Sequence, residues 1–214
     1  MNLVASYAQI VGRINRRRKQ ADSILLNTSL TPWERRFLTE SLISNLWLDW
    51  SNFVKQVLIA SCSGSPTRSR GHVVARIAPD NSEPRIRYEV KRIYKNAARV
   101  AGLVDTGVLE PTWAHSNKIV GYVTGLAPSN VAVLQGAFGS GNLPGHKRVH
   151  LIRNACAHKS KNNRIEVAAL RSIYLTPHFI DPVDIVWGIN STSNKIALYE
   201  WLTDMETMAD SATN

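Results

Sequence analysis

Residues 33–62, WERRFLTESLISNLWLDWSNFVKQVLIASC, run for about thirty positions with neither proline nor glycine. No ordinary strand is that long, so a stretch of this kind commits the chain to a long helix. Its start is written just upstream in TPWE at 31–34. Thr31 supplies a hydroxyl cap, Pro32 takes the first helical position, where its missing N–H costs nothing, and Glu34 is placed to bond back to the cap. Phe37, Leu38, Leu42, Leu46, Trp50, Phe53, Val54 and Val57 recur at helical spacing and predict a continuous core stripe. Trp47 and Trp50 read as core aromatics.

The remaining segments follow the same period. Residues 2–27 place Leu3, Tyr7, Ile10, Val11, Ile14, Ile24 and Leu25 on one side, interrupted by the solvated run Arg16, Arg17, Arg18, Lys19. A helix is expected over 85–103, two short ones over 113–138 divided by Pro128, one over 146–161, and a last one at 193–209. Residues 61–84 are rich in Ser, Gly and Pro and read as a loop. The fold class expected is all-α: a single-domain helical bundle spanning 1–214, with 61–84 as a loop insertion and 190–214 as the C-terminal helical region. Short extended pieces are expected near 73–77 and 172–189.

The formal net charge of +10 and a pI near 9.9 point to a polyanionic partner. The two cysteines, Cys62 and Cys156, form no CxxC pair and no disulfide framework, which points to a reducing, cytoplasmic setting. The basic cluster at the N-terminus follows the apolar stretch, the reverse of a secretory leader. No apolar run approaches the roughly 20 residues of a membrane span, so no membrane partner is expected.

GSGNLPGHKRVH at 139–150 superficially suggests a phosphate-binding loop. The lysine and hydroxyl that such a loop needs are missing after Gly145, where His146 stands in the place of the lysine. A helix-breaking entry turn is the better reading.

The segment after that turn carries the chemistry. At about 100° per residue, Val149, Ile152 and Cys156 gather on a core side. His150, Arg153, Asn154, Ala157, His158 and Lys161 form a second, polar stripe without a carboxylate. Asn154 and His158 are i,i+4 neighbours, whereas Arg153 and His158 stand about 140° apart. Histidine moves protons near neutral pH, arginine clamps phosphate, and an amide orients either one. That set suits RNA cleavage by the neighbouring 2′-hydroxyl, which requires proton transfer and charge stabilisation but no external nucleophile. Since Arg153 and His158 splay apart, two copies related by a two-fold axis would set each arginine beside the other's histidine. His146 and His150 share zinc-like spacing, but Cys156 is assigned to the core stripe with no carboxylate beside it, so no metal and no cofactor are expected.

RNACAH at 153–158 resembles the R-x4–6-H signature of the HEPN superfamily in its RN-x-x-A-H form. Many relatives carry a glycine after the histidine, where this chain has Lys159. The resemblance implies a small helical bundle, a homodimer with a composite site, and metal-independent endoribonuclease activity of the kind found in toxin–antitoxin and anti-phage defence systems. Arg153 and His158 would be catalytic, with Asn154 as the orienting polar residue. His150 and Ala157 would line the site, and Lys147, Lys159, Lys161 and Arg164 would contact RNA. An antitoxin or defence-complex protein would be a further partner. The basic residues Arg85, Arg87, Lys91, Arg92, Lys95 and Arg99 offer a second backbone-contacting track. The alternatives are a bundle that binds nucleic acid without cutting it and a bundle with a purely structural or partner-binding role.

Overall fold

The computed structural model describes residues 2–75, 81–97, 105, 107, 110–115, 117–158 and 160–214. The chain is mostly helical, as its periodicity predicts. The elements are α1 (Leu3–Leu26), α2 (Pro32–Ser63), β1 (Ser65–Pro66), β2 (His72–Val73), α3 (Glu83–Tyr94), α4 (Ile119–Leu126), α5 (Val131–Gly139), α6 (Gly145–Ala157), α7 (Lys161–Ala169), β3 (Tyr174–Leu175), β4 (Ile189–Asn190) and α8 (Ala197–Thr213), with 3-10 helices at Leu170–Ser172 and Pro182–Trp187. Among the described residues, extended structure consists of two antiparallel two-residue pairs, Ser65 with Val73 and Tyr174 with Asn190 leading their registers, and an isolated bridge between Ile189 and Ile196. Both pairs fall in the stretches flagged as loop or extended, although residues 76 and 77 lie outside the described residues. No helix among the described residues is long and apolar enough to cross a membrane.

The start of α2 follows its sequence signal. Glu34 N–H donates to Thr31 Oγ1 at 3.2 Å, and Thr31 N–H donates to Glu34 Oε2 at 2.8 Å, so two groups at the helix start are satisfied reciprocally. The same hydrogen bonds, the Thr31 hydroxyl's first, hold the Glu34 carboxyl below its ordinary range. At Pro128 the expected break is made by Ala127, whose left-handed φ of 45° caps α4 while its N–H bonds to Val123 O. Two expectations fail. Phe37 and Leu38 are 57% and 37% exposed; Phe37 stacks on Trp33 at 5.6 Å instead of joining the core. The third helix starts two residues early, at Glu83 behind the Ser82 cap, and ends at Tyr94; residues 98–103 of the expected helix lie outside the described residues.

The contacts divide the chain into two compact units. The first comprises residues 1–10, 50–142 and 207–214. Its core includes Trp50, packed on Phe53 at 5.2 Å and edge-on to Phe138 at 6.3 Å, with Val54, Val57, Tyr122 and Leu134 also buried. Leu3 N–H bonds to Ser65 Oγ at 2.9 Å, and the Arg68 guanidinium lies 3.5 Å over the Tyr7 ring while pairing with Asp210.

The second unit comprises residues 11–49 and 143–206. Its buried residues include Ile14, Leu42, Leu46, Trp47, Val149, Ile152, Tyr174, Leu198 and Trp201. Arg13 and Arg17 both reach Asp49, and Arg18 reaches Glu206, so part of the basic run of α1 is paired rather than simply solvated. This unit contains α6 and every residue of the expected site.

Candidate functional site

Helix α6 is fixed firmly at its start. Gly145 N–H, exposed by the helix terminus, donates to Asp204 Oδ2 of α8 at 2.9 Å. The helix approaches α8 so closely that a Cβ on Gly145 would sit 2.5 Å from the Trp201 carbonyl oxygen. Only glycine fits there. An aspartate thus occupies the helix start that resembled a phosphate loop, and burial raises the Asp204 carboxyl against the lowering effect of the Gly145 N–H. One turn on, Arg148 donates to the Tyr174 hydroxyl, which donates to Glu200 Oε2 at 3.1 Å and accepts from Trp201 Nε1 at 3.0 Å. Arg148 is therefore committed to internal structure. His146 is fully buried, and burial, assisted by the nearby Lys147 charge, pushes its imidazole down to about 4.

The exposed part of the helix presents a connected polar face. The His150 ring stacks on Trp47 of α2, with centroids 4.3 Å apart and planes within 11°. Its Nε2 lies 2.9 Å from Asn154 Nδ2, and Arg153 Nη1 donates to Asn154 Oδ1 at 3.0 Å. A guanidinium only donates, so the Asn154 oxygen must face Arg153 and the amide nitrogen must face His150. Nε2 of His150 is then the acceptor, which places the ring proton on Nδ1. Arg153, Asn154 and His150 are all half-buried, leaving each accessible to a ligand.

The structure moves His158 away from where a continuous helix would put it. Helix α6 ends at Ala157, and His158 is its cap residue, with φ −125° and ψ 42°. Its backbone N–H bonds to Asn154 O at 2.8 Å, while Ser160 caps the new helix α7 by accepting from Asn163 N–H at 3.2 Å. Lys161 therefore belongs to α7, not to the polar stripe of α6. His158 and Ala157 are both exposed beside that stripe. Asn163 Nδ2 also donates to Asn154 O at 3.3 Å, which fastens the start of α7 to the end of α6.

Lys147, Lys161 and Arg164 are exposed around these groups, and Lys159 lies outside the described residues. Across 143–180 the sequence has seven Lys and Arg residues and one carboxylate, Glu166, a net of +6 out of the chain's +10. The other proposed basic track fares differently. In α3, Arg85 and Arg92 both pair with Glu89, at 2.6 and 2.7 Å, Arg87 pairs with Glu83 at 3.2 Å, and Lys91 pairs with Asp105 at 2.6 Å. Those four cations are paired but share three carboxylates, whereas Lys95 is exposed and Arg99 lies outside the described residues. Exposed positive charge is therefore present around α6 and α7.

Cys156 departs from its expected place. The buried stripe of α6 runs through Val149, Ile152 and Ala155, and Cys156 is only half-buried. It stands beside two carboxylates that the sequence did not suggest, Glu40 of α2 and Asp181. Trp47 is the other participant that sequence reasoning assigned to the core alone. The residue is indeed buried, but one face of its ring supports His150. Helical periodicity carries no signal for either contact, because each joins residues more than a hundred positions apart except for the pair on α6 and Asp181.

Comparison with protein-family models, with curated proteins and with solved structures gave no match.

Proposed function

We propose that this chain is a metal-independent endoribonuclease of the HEPN type, cutting RNA through attack of a 2′-hydroxyl on the adjacent phosphate. The observation that carries the reading is the Arg153–Asn154–His150 hydrogen-bonded face, set among exposed basic side chains beside His158. Arg153, held by the Asn154 amide, is the phosphate clamp and offsets the charge that develops on the phosphoryl oxygens. His158 is exposed at the helix cap and exchanges the proton of the 2′-hydroxyl or the leaving oxygen. His150 and Ala157 line the site, and Lys147, Lys159, Lys161 and Arg164 hold the RNA backbone. The attacking oxygen belongs to the substrate, so no metal-activated water is required.

The site is proposed to be completed in a homodimer, with Arg153 of one copy working alongside His158 of the other. Such an enzyme suits a cytoplasmic toxin or anti-phage effector, restrained by an antitoxin or a larger defence complex. The direct test is incubation of purified protein with end-labelled RNA in EDTA. Cleavage that disappears in folded Arg153→Ala and His158→Ala variants supports the enzyme. Salt-sensitive binding without cleavage would instead select the non-catalytic nucleic-acid-binding bundle.

A further inference from the structure

We propose that Glu40, Cys156 and Asp181 form a divalent-metal site, chemically suited to Zn2+. One potential ligand atom from each, a thiol sulfur and two carboxylate oxygens, lies within 4.8 Å of the others. The three residues come from separate elements: the third turn of α2, the last turn of α6, and the N-cap of the 3-10 helix Pro182–Trp187. All three are half-buried. A divalent cation held among a thiolate and two carboxylate oxygens is attracted to all three.

The donor set selects the ion. Mg2+ and Ca2+ favour all-oxygen shells, whereas a sulfur ligand favours a softer metal, and Zn2+ accepts thiolate and carboxylate together. Asp181 is already oriented for ligation. Its Oδ1 accepts from Val183 N–H at 3.3 Å, and its own N–H donates to Asp184 Oδ2 at 2.8 Å in a reciprocal capping box. Such outer contacts fix a carboxylate ligand's direction. A cavity of about 180 Å³, lined by Cys156 and Asp181 together with Ala155, Arg164, Ile180 and Pro182, adjoins two of the three ligands. It leaves room for water to fill the fourth position of a tetrahedral ion.

The site is distinct from the polar face already described. Cys156 is about 160° around α6 from Asn154. A bound ion would tie the last turn of α6 to α2 and to the 3-10 helix. Metal binding does not depend on the ribonuclease reading, and its test reads no cleavage.

The test is titration of the full chain with Co2+, followed by displacement with Zn2+. The expected result is one equivalent of Co2+ with a thiolate-to-cobalt charge-transfer band, bleached by Zn2+. Cys62 is buried with its thiol pushed up to about 12 by burial, so the band reports Cys156. Cys156→Ser removes the band, and Glu40→Gln and Asp181→Asn each weaken Co2+ binding roughly tenfold or more. Circular dichroism without metal verifies that each variant is folded. A Zn2+-dependent rise in the melting temperature of the wild type, absent in Glu40→Gln, provides a second readout should Cys156→Ser fail to fold. No thiolate band in the wild type, a band that survives Cys156→Ser, or unchanged affinity in both carboxylate variants would overturn the site.

Discussion

His146 makes acid stability the sharpest structural consequence of the α6 environment. The ring is completely buried, and its folded-state value of about 4 lies below the ordinary 6.5. The folded chain keeps the imidazole neutral while the unfolded chain protonates it readily. The stability contributed by keeping it neutral is therefore fully present above pH 6.5. It is lost as pH falls from 6.5 towards 4, where the unfolded state binds the extra proton. A displacement of this size corresponds to about 3 kcal/mol across the window, at about 1.4 kcal/mol per unit. The perturbation is His146→Leu, which removes the titration at some cost in packing that does not vary with pH. Urea unfolding at pH 7.5, 6.5, 5.5 and 4.5 measures both proteins. The wild type should lose about 2.5 kcal/mol more than the variant between pH 7.5 and 4.5, since part of the change falls below pH 4.5. Parallel profiles over that range would show that His146 is not held neutral by burial.

Gly145→Ala should be among the most damaging small substitutions in the chain, because the new methyl would sit 2.5 Å from Trp201 O and 2.7 Å from its Cα. A loss of about 3 kcal/mol is expected by chemical denaturation, and a loss below about 0.5 kcal/mol would show that α6 does not approach α8 so closely. Asn154→Ala removes both hydrogen bonds that connect Arg153 and His150. It should cost about 1 kcal/mol of stability but lower RNA cleavage about tenfold or more, a split readable from melting curves against single-turnover rates. Lys147→Ala and Lys161→Ala should each reduce the salt slope of RNA binding by about 0.7, measured by anisotropy between low and moderate ionic strength. Unchanged slopes would remove those residues from the RNA track.

The long helices were legible because their signals are local. Thr31, Pro32 and Glu34 announce α2, and the apolar period of residues 2–27 matches α1 to within a residue at each end. The stop at Ala157 was harder to see, since ACAHKSKNN contains neither glycine nor proline. Its one local sign is Ser160, a good N-cap that begins a new helix and ends the old one. Phe37 was misassigned because periodicity reports which face a residue occupies, not whether another element covers that face. The pairing of the α3 cations is legible only in part: Arg85 and Glu89 are one turn apart, but Lys91 finds Asp105 through the fold. Trp47 against His150, and Glu40 beside Cys156, are tertiary meetings that no single-sequence pattern encodes.

The most direct measurement of the composite site mixes two inactive variants, Arg153→Ala and His158→Ala, under conditions that exchange subunits. In a mixed dimer, one site would receive the intact Arg153 of one copy and the intact His158 of the other, while the second site would lack both. Random exchange should then restore about a quarter of wild-type RNA cleavage. Full exchange with no recovered cleavage would contradict a site shared between two copies.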